Sequence, residues 1–416
     1  MRLLYNLLLQ IIRWSYEWAG WFSQKARTFN KGRVDQEERL KSSFPLPAGS
    51  QLVWFHCASL GEFEQGRPVI EELKRRHSQI KILLTFFSPS GYEIRKDYDQ
   101  ADYVFYLPWD SPQHARWFAQ VVRPQLAIFV KYEFWYHYTR ELKRNNIPLL
   151  SISSIFREDQ IFFRRYGGFF RSILKNFHRF FVQNNASASL LNSIGIQNVT
   201  VAGDTRFDRV NQIVKQGDDI ELVTEFAANK PVMVVGSAWP EDMEVLFPLI
   251  NSRRDGYRFI IAPHEITETF LARIESSITG KIVRYSRTTP QEVRNADVLI
   301  VDVIGILSRL YRYGKFAFIG GGYRQGLHNI LEAACYGLPI FFGDRAYQKF
   351  DEAVQLIKLK GAFAVGKYSE LQQQFDDLLS NTESYEKAAE TTRLYVEQNL
   401  GATEKIVSYC NQILKQ

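Results

Sequence analysis

FAFIGGGYRQGLHNILEAACYGLPIFFG, Phe316 to Gly343, decides how the chain is read. Phe316–Ile319 is a short apolar run fit for a buried strand. It enters a turn in which Gly320, Gly321, Gly322 and Gly326 place four glycines within seven residues. Ile330–Tyr336 then reads as a helix and Pro339–Phe342 as the next strand. Glycine at this density costs chain entropy, and backbone amides at a helix start can be aimed at an anion. Neither the P-loop nor the dinucleotide fingerprint fits, because GxGxxG from Gly320 needs glycine where Gln325 stands. Strand, turn, helix and strand in this order predict a parallel sheet with helices on both faces.

Upstream the same alternation recurs. Strand-like runs fall at Val232–Val235, Arg258–Ala262, Lys281–Tyr285 and Val298–Val301, and a charge-mixed helical connector spans Asn211 to Lys230. Before it come Leu52–Cys57, Ile80–Phe86, Tyr103–Leu107, Leu126–Val130, Pro148–Ile152, Phe180–Val182 and Val199–Val201, with amphipathic stretches such as Pro68–Arg76 and Ser111–Val122 between. The pattern predicts two doubly wound α/β domains, residues 31–210 and 211–416, behind a hydrophobic and basic segment, 1–30. Ligands of such sheets bind beyond the carboxyl ends of the strands, so the chemistry is expected just after them, in a gap between two facing sheets.

The 416 residues carry 52 Lys+Arg against 45 Asp+Glu, a net charge of +7. Ordinary charged and hydrophobic fractions exclude disorder and fibrous repeats. Cys57, Cys335 and Cys410 are too few and too scattered for a disulfide framework or a cysteine zinc site. Aromatic content is high, 14%, and with a basic balance it favours anionic partners. Leu3 to Ile12 is uncharged but too short to span a membrane. Trp14, Trp18 and Trp21 beside Arg13 and Lys25 resemble an interfacial anchor; an amphipathic helix packed on the protein is the other reading. Gln160 to Phe181 holds Arg164, Arg165, Arg171, Lys175 and Arg179 with eight aromatics and no acid, a composition suited to lipid phosphates. No nucleic-acid-binding pattern accompanies the charge.

Candidate site residues follow the strands. Glu62, after His56-Cys-Ala-Ser-Leu-Gly, is a general base or a helix cap. Lys131 and Glu133 pair with each other or with a ligand. Arg206, between Asp204 and Asp208, forms a local ion pair or presents a guanidinium to an anion. Ser237 caps a helix or binds phosphate. His264 donates to a ligand or sits in a loop, and Glu332 accepts two ribose hydroxyls. Asp97-Tyr-Asp99 matches a DxD metal motif that arises by chance in a chain this long.

Taken in order, Ser59–Glu62, Glu133–Trp135, Gly203–Asp208, Gly236–Ser237 and His328–Ala334 resemble the 3-deoxy-D-manno-octulosonic acid (Kdo) transferases that act on the lipid A precursor. The resemblance implies the GT-B fold of two Rossmann-like domains facing across a cleft, CMP-Kdo as donor, no metal or other cofactor, and inversion at the anomeric carbon. It implies Glu62 as catalytic base and Arg206 as transition-state stabiliser. It also implies CMP-binding segments at Ser237, at Pro263 and His264, at Ile304, Gly305 and Ile306, and at Asn329, Ile330, Leu331 and Glu332. Three positions depart from the family: Lys131 stands where an acid assigned to transition-state stabilisation is usual, Ile306 where Glu often follows Gly305, and His264 where Arg is usual. The expected partners are CMP-Kdo, a lipid A precursor and an anionic membrane surface, with no nucleic acid, at the cytoplasmic face of a bacterial inner membrane. The alternatives are a UDP-sugar transferase or epimerase on the same fold, and a non-catalytic peripheral lipid-binding protein.

Overall fold

A computed structural model describes residues 1–47, 49–324 and 326–415; Gln325, and the side chains of Lys25 and Gln216, lie outside the described residues. The anchor role read for Lys25 therefore falls outside them too. The chain divides into two compact units, Met1–Arg209 with Leu400–Gln416, and Val210–Asn399.

The first unit is built on strands β1 (Leu52–Cys57), β2 (Lys81–Phe86), β3 (Tyr103–Tyr106), β4 (Leu126–Val130), β5 (Leu149–Ser154), β6 (Arg179–Val182) and β7 (Val199–Val201). All pair in parallel, in the order β3-β2-β1-β4-β5-β6-β7. The apolar runs are strands because both faces are covered. Every residue of β1 is buried, with Val53 opposite Ile82 on one side and Leu126 on the other. The order reverses between β1 and β4, so the crevice at this switch point lies between their carboxyl ends.

The second unit repeats the plan with β8 (Val232–Ala238), β9 (Arg258–Pro263), β10 (Ile282–Arg284), β11 (Val298–Ile300), β12 (Gly314–Ile319), β13 (Ile340–Gly343) and β14 (Ala362–Val365). Their order is β10-β11-β9-β8-β12-β13-β14, and the switch point falls between β8 and β12.

Three elements differ from the sequence reading. The helix expected at Pro68–Arg76 runs Leu60–Arg76, because the Glu62 carboxylate accepts from the Ser59 backbone and starts it two turns before the proline. The helix expected at Ile330–Tyr336 is one turn, Leu331–Ala334. The last helix, Ala402–Leu414, belongs to the first unit, whereas residues 211–416 read as a single domain. Its Ala402, Ile406, Val407 and Cys410 join the core that holds Val69 and Leu73. Asp208 fixes its start, accepting from the N–H groups of Gly401 and Thr403, each at 2.7 Å.

The first helix, Arg2–Ala19, buries no residue. Tyr5 holds it to the loop after β3 by donating to the buried Asp110 at 2.6 Å, and Tyr16 stacks on Phe29 at 4.3 Å. Leu4, Leu7, Ile11, Trp14 and Trp18 form an exposed stripe at helical spacing. Among the described residues no helix is long and apolar enough to cross a membrane.

Candidate active site

At the first unit's switch point, the chain leaves β1 through Ala58 and Ser59 into the helix that carries Glu62. The Glu62 carboxylate accepts from Ala58 N–H at 2.5 Å and Ser59 N–H at 3.2 Å. Burial raises this carboxyl to about 7 and the nearby Glu133 carboxylate adds to the rise; the Ala58 amide, the Lys131 ammonium and the Ser59 amide hold it back. Glu62 thus caps the helix, and the cap orients a carboxyl that titrates near neutrality.

Lys131 and Glu133 do not pair with each other as one reading had it. Lys131 leaves β4 with φ at 67°, in the left-handed region, and its ammonium acts on Glu62. Glu133 is buried and takes two other partners: His56 Nε2 lies 3.0 Å from its Oε2, and Trp135 Nε1 donates to the same oxygen at 2.6 Å. His56 Nδ1 lies 2.9 Å from the Thr85 hydroxyl, which accepts from Trp54 Nε1 at 2.8 Å. Assigning the Thr85 proton to Nδ1 and the imidazole proton to Glu133 gives each of these hydrogens an acceptor. Side chains of β1, β2 and the segment after β4 therefore hold Glu133 where its charge reaches Glu62. The sequence signal for His56 and Thr85, a polar residue one place before the end of each largely apolar strand, was present and was not read as part of the site.

Arg206 forms the local ion pair. Its Nε and Nη2 contact Asp204 Oδ2 at 2.9 and 2.8 Å. Burial raises the Asp204 carboxyl, but the Arg206 charge and hydrogen bonds, with help from Gln65, bring it below the usual range. Gln65, one turn after Glu62 on the same helix, donates to Asp204 at 3.2 Å and so ties Arg206 to the helix that carries Glu62. Asp97 and Asp99 precede β3 and lie at the opposite edge of the sheet.

In the second unit the candidates again follow strand ends. Ser237 occupies a bulge with φ at 51° and does not cap the helix Pro240–Arg253. Asp242 does so, accepting from Trp239 N–H and from Gly321 N–H, each at 2.9 Å. Burial raises Asp242 to about 6 against these two donors, with Glu241 adding to the rise. This buried acid, which sequence reasoning did not single out, ties the glycine-rich turn to the neighbouring helix start. The turn itself needs its glycines: a Cβ on Gly320 would lie 2.1 Å from Ser237 O, and one on Gly322 would lie 2.5 Å from Gly343 N.

His264 stacks on Trp239, ring centroids 4.3 Å apart, and lies 4.4 Å from His328. Trp239 Nε1 donates to His328 Nε2 at 3.0 Å, and burial, with His264 beside it, lowers His328 to about 4. Ser237, His264, His328 and the glycine-rich turn are therefore brought together. Pro263 closes β9 in the core. Ile304 is 92% exposed, Gly305 turns with φ at 96°, and Ile306 opens the helix Leu307–Leu310 beyond the end of β11, a helix whose Leu307 packs near Gly236. Asn329 donates to Glu332 at 3.1 Å and accepts from Leu331 N–H at 3.3 Å. Ile330 and Leu331 are buried, which leaves only their backbone groups for a ligand.

A family model described as 3-deoxy-D-manno-octulosonic-acid transferase (kdotransferase) matches residues 32–209. The chain is 28% identical to the 3-deoxy-D-manno-octulosonic acid transferase of Rickettsia prowazekii, over 99% of this chain and 90% of that one. With the enzyme of the same description from Aquifex aeolicus it shares 29% identity over 87% and 98% of the two chains. Among solved structures, UDP-GlcNAc 2-epimerase from Neisseria meningitidis bound to UDP-GlcNAc superposes with a TM-score of 0.62 at 17% identity, covering 87% of this chain and all of that one. A glycosyltransferase from Rickettsia africae gives a TM-score of 0.57 at 13% identity, covering 88% and 100%. These structural likenesses show the fold, two Rossmann-like units in one chain of the GT-B class.

Proposed function

We propose that this chain, similar over most of its length to 3-deoxy-D-manno-octulosonic acid (Kdo) transferases, carries out an inverting and metal-independent transfer of Kdo from CMP-Kdo to a hydroxyl of a lipid A precursor. The observation that carries the mechanism is Glu62: a carboxyl beyond the end of β1, fixed by two backbone amides and titrating near 7. A general base works best with a pKa near the working pH. Glu62 takes the proton of the acceptor hydroxyl while that oxygen bonds to the anomeric carbon of Kdo. The bond from that carbon to the CMP phosphate oxygen breaks, and a single displacement inverts the centre.

The negative charge on departing CMP calls for fixed donors. Backbone amides of the glycine-rich turn and the Ser237 bulge are suited to it, with Asp242 keeping both in register. Arg206 is assigned to transition-state stabilisation, its guanidinium held in place by Asp204. Pro263, His264, Ile304, Gly305, Ile306 and Asn329 to Glu332 are assigned to CMP, and Lys131 to setting the basicity of Glu62. Incubating the protein with CMP-Kdo and lipid A precursor, with EDTA present, is expected to yield a product heavier by Kdo. Its absence under these conditions overturns the proposal.

The Neisseria meningitidis epimerase structure named above, bound to UDP-GlcNAc, gives the rival reading its content. CMP at about 100 times its dissociation constant is expected to stabilise the protein by about 2.7 kcal/mol, seen as a thermal shift that UDP does not reproduce. The reverse ranking favours a UDP-sugar enzyme, and no shift with either favours a non-catalytic protein.

The acceptor is a lipid, and the exposed stripe of the first helix suits the face of an anionic bilayer. Tyr5 on that helix packs 5.8 Å from Phe169, which places the basic aromatic segment alongside. Half of that segment is core, since Phe162, Phe177, Phe180 and Phe181 are buried, and Arg171 is spent on the carbonyls of Phe162 and Arg164. Arg164, Arg165 and Tyr166 remain exposed. Replacing Leu4 and Trp18 together by Glu is expected to lower sedimentation with anionic liposomes severalfold; unchanged sedimentation removes the helix from membrane binding.

A further inference from the structure

A cavity of about 540 Å³ opens in the first unit at the carboxyl end of β3, walled by Tyr106 and Trp109 and by residues of the first three helices and the turn between the second and third. Its size is that of a small-molecule site. Each carboxylate on its wall has a basic partner: Glu17 pairs with Arg13 at 3.2 Å, and Glu37 with Lys41 at 2.6 Å and His114 at 3.5 Å. Arg33 has none among the described residues. Its guanidinium lies 3.6 Å from the Phe29 ring centroid and 4.5 Å from that of Tyr106. Among the described residues it donates only to two backbone carbonyls, Phe29 at 3.1 Å and Phe87 at 2.6 Å, and its buried Nε–H meets no partner there. Three of its five N–H groups are thus uncommitted. On the same wall Gln36, 7% exposed, donates to Tyr92 at 2.8 Å while its Oε1 is buried without a partner.

Burying a cation without a counter-charge, and an amide end without a partner, is costly unless something else completes them. Burial already lowers the Arg33 guanidinium to about 10, and an anion would relieve that. The two orphans are complementary in kind: one asks for an anionic oxygen, the other for a hydroxyl or amino hydrogen. Aromatic faces beside them suit the flat side of a sugar ring. A chain of rings leads from this wall toward the catalytic end of the sheet, Trp109 to Phe87 at 5.5 Å and Phe87 to Trp135 at 5.1 Å, and Trp135 bonds Glu133.

We propose that this cavity holds the phosphorylated sugar headgroup of the acceptor, Arg33 taking a phosphate oxygen and Gln36 a sugar hydroxyl or amine. The assignment rests on the acceptor class proposed above. Its test has two arms on the full-length protein. In the kinetic arm, Arg33→Gln is expected to raise the Michaelis constant for the phosphorylated lipid acceptor tenfold or more, while that for CMP-Kdo holds. In the binding arm, which needs no transfer, NMR titration with glucosamine 1-phosphate, glucosamine and inorganic phosphate is expected to show saturable binding of the first, lost in Arg33→Gln. Should that variant fail to fold, Val34→Trp, on the exposed rim of the same wall, is expected to block the binding. An unchanged acceptor constant in folded Arg33→Gln, or sugar phosphate bound no better than phosphate alone, overturns the proposal. Binding of the sugar phosphate by a protein that transfers no Kdo would instead overturn the transferase reading and keep the subsite.

Discussion

Glu62→Gln is expected to lower turnover by about 10² to 10⁴-fold, the range a positioned general base contributes, while CMP still binds. The amide oxygen can accept from Ala58 and Ser59 as the carboxylate does, so the helix start and its cap survive. The same substitution is expected to stabilise the fold at alkaline pH. Glu62 titrates near 7 in the folded protein against an ordinary value of 4.5, so the folded state holds its proton more tightly than the unfolded chain. Its contribution to stability is greatest below the ordinary value and is lost as pH rises through about 7. Thermal unfolding at pH 8.5 should therefore place the variant several degrees above the wild type, with the gap closing toward pH 4.5. Near-normal turnover in the variant removes Glu62 from the chemistry; an unchanged melting temperature at pH 8.5 denies its burial.

The second large effect is a pair of opposed displacements in the pH profile. A base that must be ionised gives kcat/KM an acid limb, expected near 7. Glu133→Gln removes the negative charge that raises Glu62 yet keeps an oxygen for Trp135 and His56, so the limb moves to lower pH. Lys131→Met removes the cation that lowers Glu62, and the limb moves to higher pH. A displacement of one pH unit changes the rate about tenfold on the acid side. A loosened structure would lower the rate at every pH and would not shift the limb in opposite directions for the two variants. If neither limb moves, the titrating base is another group.

The sheets were legible because parallel strands covered on both faces leave largely apolar runs such as LVWFHC, all of it buried. β14 escaped notice: Ala362–Val365 is four residues between Gly361 and Gly366, too short and too small-sided to stand out. The candidate site was legible wherever residue type alone suggests chemistry, as at Glu62 or the glycine-rich turn. It was illegible where chemistry depends on distant neighbours. His56 and Thr85 are ordinary strand residues until β1 and β2 pair them in register, and Glu133 lies 77 positions from the histidine it meets. Ser237 looked like a helix cap because serine before a proline-begun helix usually is one, but the strand bulges there and Asp242 takes the task.

The return of Ala402–Leu414 to the first unit also governs how the protein can be made. Five side chains of that helix complete a core whose other members leave the ribosome long before it. Roughly 190 residues of the second unit are synthesised in between, a delay of about 10–40 s at ordinary elongation rates. Throughout that interval the nascent first unit has an apolar groove along Val69 and Leu73 with its natural cover still untranslated. Chaperone capture of the growing chain is expected to concentrate there and to end when the final helix emerges.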